Sequence, residues 1–182
     1  MKVLLINPPN INEIRDTLPL FVEEEKGLTP PLGLLYIAAY AKKYTNCNIG
    51  VLDSQVENMD YQELENKIRQ TNPGIVGITA LSMAIKDVAK TIELVKKVNP
   101  QIIVAVGGPH ASCYPKETAQ WPNVDYVICG EGEKPFSQLI NCLDKKSPLD
   151  NIKGLAYFDK KNNILIDNGP AETIQDLDSL PF

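Results

Sequence analysis

Five apolar runs of strand length recur along the chain, each followed by a longer stretch with helical periodicity, and this alternation narrows the accessible folds more than any other feature. Lys2 to Asn7 is almost continuously hydrophobic and is ended by Pro8-Pro9, while Asn48 to Asp53 is shorter and weaker. Gly74 to Thr79, Ile102 to Gly107 and Asp125 to Gly130 complete the set. Runs without polar alternation belong to strands covered on both faces, the condition of a parallel sheet. Between them the periodicity predicts helices over Leu34–Tyr44, Asp60–Gln70, Ala84–Val98 and Glu133–Lys145, with room for one or two turns between Ser112 and Asn123. Asp60 with Glu63 forms a capping-box pair at the start of the second helix. In the third, Ile85, Val88, Ala89, Ile92 and Val95 share one face. Repeated strand–helix units close by right-handed crossovers. The expected fold is α/β: a doubly wound five-stranded parallel sheet, flavodoxin-like (Rossmann-like), in order 2-1-3-4-5. After Asp150 the pattern changes. Gly154–Phe158 and Ile164–Ile166 flank Asp159-Lys160-Lys161-Asn162-Asn163 and read as a C-terminal β-hairpin, followed by a linker. The expected division is therefore 1–150 and 151–182, and the closing Leu180-Pro181-Phe182 reads as a truncation point.

Bulk properties exclude several function classes. The 182 residues suit one domain, and 43% hydrophobic with 23% charged residues is globular composition. No apolar run approaches the roughly 20 residues of a membrane span, and the six residues before Asn7-Pro8-Pro9 are too few for a signal-peptide core. A cytoplasmic protein with no membrane partner is expected. Net charge is −5, and the basic pairs Lys42-Lys43 and Lys145-Lys146 sit at predicted helix ends, where the dipole favours them. No basic stripe exists to displace phosphate counterions, which argues against nucleic acid. Cys47, Cys113, Cys129 and Cys142 are scattered and lie away from His110, so they read as small buried hydrophobes and not as metal ligands.

Ligands of such sheets bind beyond the carboxyl ends of the strands, which directs attention to the loops there. Asn7-Pro8-Pro9-Asn10 follows the first strand. A phosphate cradle needs free backbone N–H groups and proline has none, so a P-loop, a dinucleotide glycine loop and a flavodoxin phosphate loop are excluded at this position. The long insertion from Asn10 to Thr29, with Glu23-Glu24-Glu25, reads as functional or as disordered, with a solvated charge run as the plainer reading. Thr79-Ala80-Leu81-Ser82 offers small hydroxyl residues at the crevice; the plainer reading, which leads when this loop is taken alone, is that Ser82 caps the next helix. Gly107-Gly108-Pro109-His110 removes Cβ atoms that would block a bulky ligand, or forms a tight turn. His110 there is a ligand contact, a proton-transfer group or a turn residue. Gly130-Glu131-Gly132-Glu133 carries two carboxylates that would repel a pyrophosphate but accept hydrogen bonds from amides; Glu133 also suits a helix N-terminus. Together these loops describe a crevice with a glycine-cleared floor, fitted to a large neutral ligand rich in amides.

Lys2 to Pro9, Pro30-Pro31-Leu32-Gly33-Leu34-Leu35-Tyr36, Gly107-Gly108-Pro109-His110 and Gly130-Glu131-Gly132-Glu133, in this order, resemble the N-terminal cobalamin-binding domain of radical S-adenosylmethionine enzymes, which include methyltransferases and anaerobic magnesium-protoporphyrin monomethyl ester cyclases. The resemblance implies a cobalamin-binding Rossmann-like domain over 1–150 and a hairpin and linker toward a downstream catalytic domain of the same parent chain. It implies that Thr79, Ala80, Leu81 and Ser82 flank the nucleotide tail and that Gly107 and Gly108, with Pro109 and His110 beside them, make room for it. It also implies that Gly130, Glu131, Gly132 and Glu133 approach the tail or the corrin amides and that Asn7, Pro8, Pro9 and Asn10 lie below the corrin. The first loop lacks the histidine that ligates cobalt in other cobalamin domains, so base-off binding without histidine ligation is expected. The C-x-x-x-C-x-x-C cluster motif is missing, which assigns the iron–sulfur cluster and S-adenosylmethionine to the downstream domain and leaves this chain no catalytic or metal-ligating residue of its own. The competing expectations are a flavodoxin-like small-molecule enzyme and an interaction domain of the same fold without a cofactor.

Overall fold

The computed structural model describes residues 1–14, 27 and 29–181. Most of the insertion between Asn10 and Thr29, including Glu23-Glu24-Glu25, and the terminal Phe182 lie outside the described residues. The strands are β1 (Lys2–Asn7), β2 (Asn48–Asp53), β3 (Ile75–Thr79), β4 (Ile103–Gly107), β5 (Tyr126–Ile128), β6 (Leu155–Asp159) and β7 (Ile164–Asp167). The helices are α1 (Leu32–Tyr44), α2 (Tyr61–Thr71), α3 (Ile85–Val98), α4 (Pro109–Cys113), α5 (Pro115–Ala119) and α6 (Glu133–Lys145).

The sheet runs β2-β1-β3-β4-β5-β6-β7. Its first five strands are parallel in the expected 2-1-3-4-5 order, and β6 and β7 add antiparallel. The hairpin continues the sheet because β5 is half the expected length: Gly130 turns the chain away with φ +78°, and the exposed edge pairs with β6 through Val127↔Ala156 and Ile128↔Leu155. An edge strand left bare would present unpaired amides, and β6 and β7 cover it.

Strand alternation sends side chains to two layers. Leu4, Ile6, Val76, Ile78, Val104 and Val106 meet Leu64 and Ile68 of α2 and Val88, Ile92 and Val95 of α3. On the other face Val3, Leu5, Ile75 and Ala105 meet Leu34 and Ala41 of α1 and Phe136, Leu139 and Ile140 of α6. Local signals set the helix starts. Asp60 accepts from the Glu63 amide at 2.8 Å while the Glu63 carboxylate accepts from the Asp60 amide at 3.0 Å, the predicted capping box. α4 and α5 each begin on a proline, whose missing N–H costs nothing in a first turn. Before α3 stands a 3-10 turn, Ser82–Ala84, in place of the expected helical start. Among the described residues no helix is long and apolar enough to cross a membrane.

Candidate functional site

A cavity of about 380 Å³ opens at the carboxyl end of the sheet, between α1, α6 and the ends of β3 and β4. Its depth comes from small residues in register: Gly77 pairs with Ala105 and Thr79 with Gly107, all on the α1/α6 face. Below them Ile75 pairs with Ile103, so this face is filled at the amino end and hollow at the carboxyl end. Gly77 is required as glycine, since a Cβ there would lie 2.5 Å from Leu5 Cδ2 and 3.3 Å from Phe136 Cζ. With it absent, Leu5 and Phe136 close over the strand and form the apolar floor. Leu34, Ile37 and Ile128 complete the walls.

The rim is polar and short-chained. Gly107, Gly108, Pro109, Gly130, Glu131, Gly132 and Glu133 line it together with Thr79. Gly108 holds φ +94°, and a Cβ there would strike Thr79 Oγ1 at 2.8 Å and the Ala80 backbone at 2.9 and 3.0 Å, so the β4 turn presses directly against the β3 turn. The His110 amide donates to the Ala80 carbonyl at 3.0 Å and the Ala80 amide to the Gly107 carbonyl at 2.8 Å, which locks the two turns together. Among the described residues neither α1 nor α6 has a side-chain cap at its start, and the Leu32, Leu35 and Phe136 amides bond to the Pro30, Pro31 and Gly132 carbonyls. Burial holds the Glu133 carboxyl above its ordinary value; its own backbone N–H pulls it down and the neighbouring Glu131 raises it again. One Glu131 oxygen accepts from the Ile174 amide at 2.8 Å, so the segment after the hairpin is tied to this rim.

Of the residues singled out from sequence, eight therefore come together at the cavity: Thr79, Gly107, Gly108, Pro109, Gly130, Glu131, Gly132 and Glu133. The others lie outside its lining. Ala80 is buried in the opposite core, and Leu81 is exposed. Ser82 does not cap a helix with its side chain; its hydroxyl lies 2.9 Å from His110 Nδ1. His110 is buried, with its ring against Trp121 and Tyr114, and its Nε2 meets no hydrogen-bond partner among the described residues. Pro8 and Pro9 are buried, and Asn7 is held by Asp53 at 2.9 Å. The floor residues Leu5, Gly77, Ala105 and Phe136, and Ile37 of α1, were not readable from loop motifs, and Gly33 and Leu34 stood in the Pro30–Tyr36 motif without a site role. A glycine in the middle of a buried strand was the available signal for Gly77.

No group of three or more His, Cys, Asp or Glu residues among the described ones is arranged to hold a metal ion. Burial pushes the Cys129 thiol up to about 11, away from the thiolate a metal needs. The arrangement suits a ligand part of which is flat and apolar and enters the slot, while its polar groups meet backbone amides and carboxylates at the mouth.

Comparison with known proteins agrees with this geometry. The family described as B12 binding domain matches residues 20–140. An uncharacterized methyltransferase, PH0819 of Pyrococcus horikoshii, is 33% identical over 184 residues, covering all of this chain and 38% of that protein. The anaerobic magnesium-protoporphyrin IX monomethyl ester cyclase of Rubrivivax gelatinosus is 30% identical over 162 residues, 86% of this chain and 29% of that protein. Among solved structures, the cobalamin-dependent S-adenosylmethionine radical enzyme OxsB with aqua-cobalamin and S-adenosylmethionine bound superposes with a TM-score of 0.75 at 21% identity, over 95% of this chain and 22% of that one. The radical S-adenosylmethionine methyltransferase TsrM from Kitasatospora setae, with cobalamin and a [4Fe-4S] cluster, gives 0.71 at 18% identity, over 99% and 31%. The last two likenesses speak to fold. The chain spans about a third of the length of the curated relatives it matches.

Proposed function

The chain belongs to the B12 binding domain family, and from that premise we propose how its residues hold cobalamin and what the parent protein does with it. The observation that carries the reading is the hollow of about 380 Å³ carved into one face of the sheet by Gly77, Ala105 and Gly107. An apolar slot of this kind fits the benzimidazole end of the nucleotide tail. Thr79, Gly107 and Gly108 flank the tail, and the backbone amides and carboxylates of Gly130 to Glu133 meet its polar groups or the corrin amides. The loop Asn7 to Asn10 lies under the corrin, with Pro109 and the exposed Leu81 bordering the crevice beside it and Ala80, Ser82 and His110 supporting the two turns from behind.

When bound, cobalamin supplies a cobalt centre that carries a methyl group or takes part in electron transfer; the surrounding protein binds, orients and shields it. The burial of His110 against Trp121 and Tyr114 supports base-off binding in which no histidine reaches cobalt. We assign residues 1–150 to holding the cofactor and 151–182 to a hairpin and linker leading to a radical S-adenosylmethionine domain, where the iron–sulfur cluster and S-adenosylmethionine would bind. The parent protein then methylates or oxidatively cyclises an organic substrate.

The test is retention of hydroxocobalamin on gel filtration by the purified chain. Gly107→Leu is the paired variant. A Cβ at Gly107 would make only ordinary contact with Ile128, at 3.6 Å, so the protein tolerates a side chain there while the slot is filled. The expected loss of affinity is about 100-fold, equivalent to roughly 2.7 kcal/mol, with little change in melting temperature. Retention of FMN instead of the corrinoid, or full affinity in the filled variant, overturns the assignment.

A further inference from the structure

We propose that Asp87 is a positioning residue: through Asn12 and Tyr61 it clamps the loop after β1 at the height where that loop supports the underside of the corrin. The inference rests on the cobalamin reading above.

Asp87 lies in the first turn of α3 on the helix's buried side and is 0% exposed. A carboxylate withdrawn from water persists only if hydrogen-bonded on most of its lone pairs. Its donors come from two other segments. The Asn12 amide donates to both oxygens, at 2.9 and 3.2 Å, and Asn12 Nδ2 donates to Oδ1 at 3.2 Å. The Tyr61 hydroxyl, at the start of α2, donates to Oδ1 as well and accepts from Asn12 Nδ2 at 2.7 Å. Burial and the hydrogen bond to Asp87 push the Tyr61 hydroxyl up to about 12. One side chain thus ties α3, α2 and the first loop together.

The same loop is pinned at two further points. The Ile14 amide donates to the Met83 carbonyl at 2.7 Å, and Gln55 Nε2 donates to the Pro8 carbonyl at 3.0 Å. The Pro8 carbonyl, the Asn12 amide and side chain and the Ile14 amide are therefore all held by the protein. Exposed beside them are large apolar side chains: Ile11 is 54% and Ile14 59% exposed, and Met83, whose carbonyl accepts from Ile14, is 42% exposed on the β3–α3 connection. These side chains stand at the carboxyl edge of the sheet, where the loops after β1 and β3 emerge. A clamp that engages the Asn12 amide and side chain and the Ile14 amide leaves Ile11 and Ile14 outward near Met83 on the neighbouring connection, apolar side chains suited to the face of a flat macrocycle. The loop is held without the glycines or cradle amides of an anion site, in keeping with Pro8-Pro9.

The experiment uses the chain with two probes: hydroxocobalamin, and a corrinoid truncated before its nucleotide tail. Affinity for each is measured for the unsubstituted protein, Asp87→Asn and the milder Tyr61→Phe, which keeps the inference testable if Asp87→Asn folds poorly. Hydrogen exchange at the Asn12 amide is followed in parallel without corrinoid. The expected result is at least tenfold faster exchange at Asn12 and about tenfold weaker binding of both corrinoids, because these apolar side chains meet the ring and not the tail. Unchanged exchange overturns the clamp. Faster exchange with undiminished affinity for the truncated corrinoid overturns the link to the ring, since a general loosening of the fold would act through the tail slot. If the unsubstituted chain retains neither corrinoid, the cobalamin reading itself fails and takes this inference with it, an outcome distinguishable because the exchange arm is read independently.

Discussion

The two faces of one sheet obey opposite rules. Toward α2 and α3, strands β3 and β4 present Val76, Ile78, Val104 and Val106, all buried, and the layer is filled from end to end. Toward α1 and α6 the same strands present Ile75 and Ile103 at the amino end, then Gly77, Thr79, Ala105 and Gly107 at the carboxyl end. The backbone hydrogen bonding is the same for both faces, so the contrast lies wholly in side-chain volume. Close packing stabilises, and a void forfeits dispersion contacts. A hollow kept at the carboxyl edge of the sheet is thus stability forgone. The α2/α3 face is close-packed, and the α1/α6 face keeps the space that the proposed site uses.

The contrast is sharpest where a large side chain is truncated on the filled face. Ile92 on α3 is buried behind β3, and Ile92→Ala is expected to destabilise by about 2–5 kcal/mol. Chemical denaturation measures that loss. Hydroxocobalamin affinity of the folded fraction should stay within about twofold, and a large drop would show that the two faces are not independent. The next effect is at the seam. Gly108→Ala must hold a left-handed φ and displace the Ala80 backbone, and a cost of about 2–3 kcal/mol follows from strain of this kind. Because the β4 turn is locked to the β3 turn here, both melting temperature and corrinoid retention should fall. A melting temperature unchanged within a degree would show that the turns adjust.

How far these properties are legible in sequence depends on which face is read. Unbroken runs such as Ile102 to Gly107 announce a strand buried on both sides, and right-handed crossovers then order five strands correctly. The glycine pairs after β4 and β5 were legible because positive φ and close approach demand glycine locally: Gly108 and Gly130 both stand at positive φ. The floor was not, because Gly77 and Leu5 are far apart in sequence and only the pairing Leu5↔Gly77 brings them together. His110 was legible as a special residue and not as a buried one, since its stacking on Trp121 depends on α4 and α5 folding back beneath the turn. The hairpin was read as a separate element; that it extends the sheet follows from the brevity of β5, which the run Asp125 to Gly130 conceals.

The smallest effect probes whether the hollow face pays a standing electrostatic cost. Glu133 opens α6 at the cavity rim, where the helix dipole favours its negative charge and partial burial opposes it. Its folded value lies above the ordinary one, so burial prevails. Below the ordinary carboxyl range Glu133 is protonated in folded and unfolded chains alike and contributes nothing. As pH rises through that range the unfolded chain ionises first, and stability is lost until pH passes the folded value, after which the penalty is constant. Glu133→Gln removes the ionisation. The melting temperature of the variant should therefore match that of the parent near pH 4 and exceed it by about a degree at pH 7, a shift well under a kcal/mol for a group this exposed. A gap that narrows or reverses as pH rises would mean the helix dipole outweighs burial at the rim, and the hollow face would then carry its carboxylate without penalty.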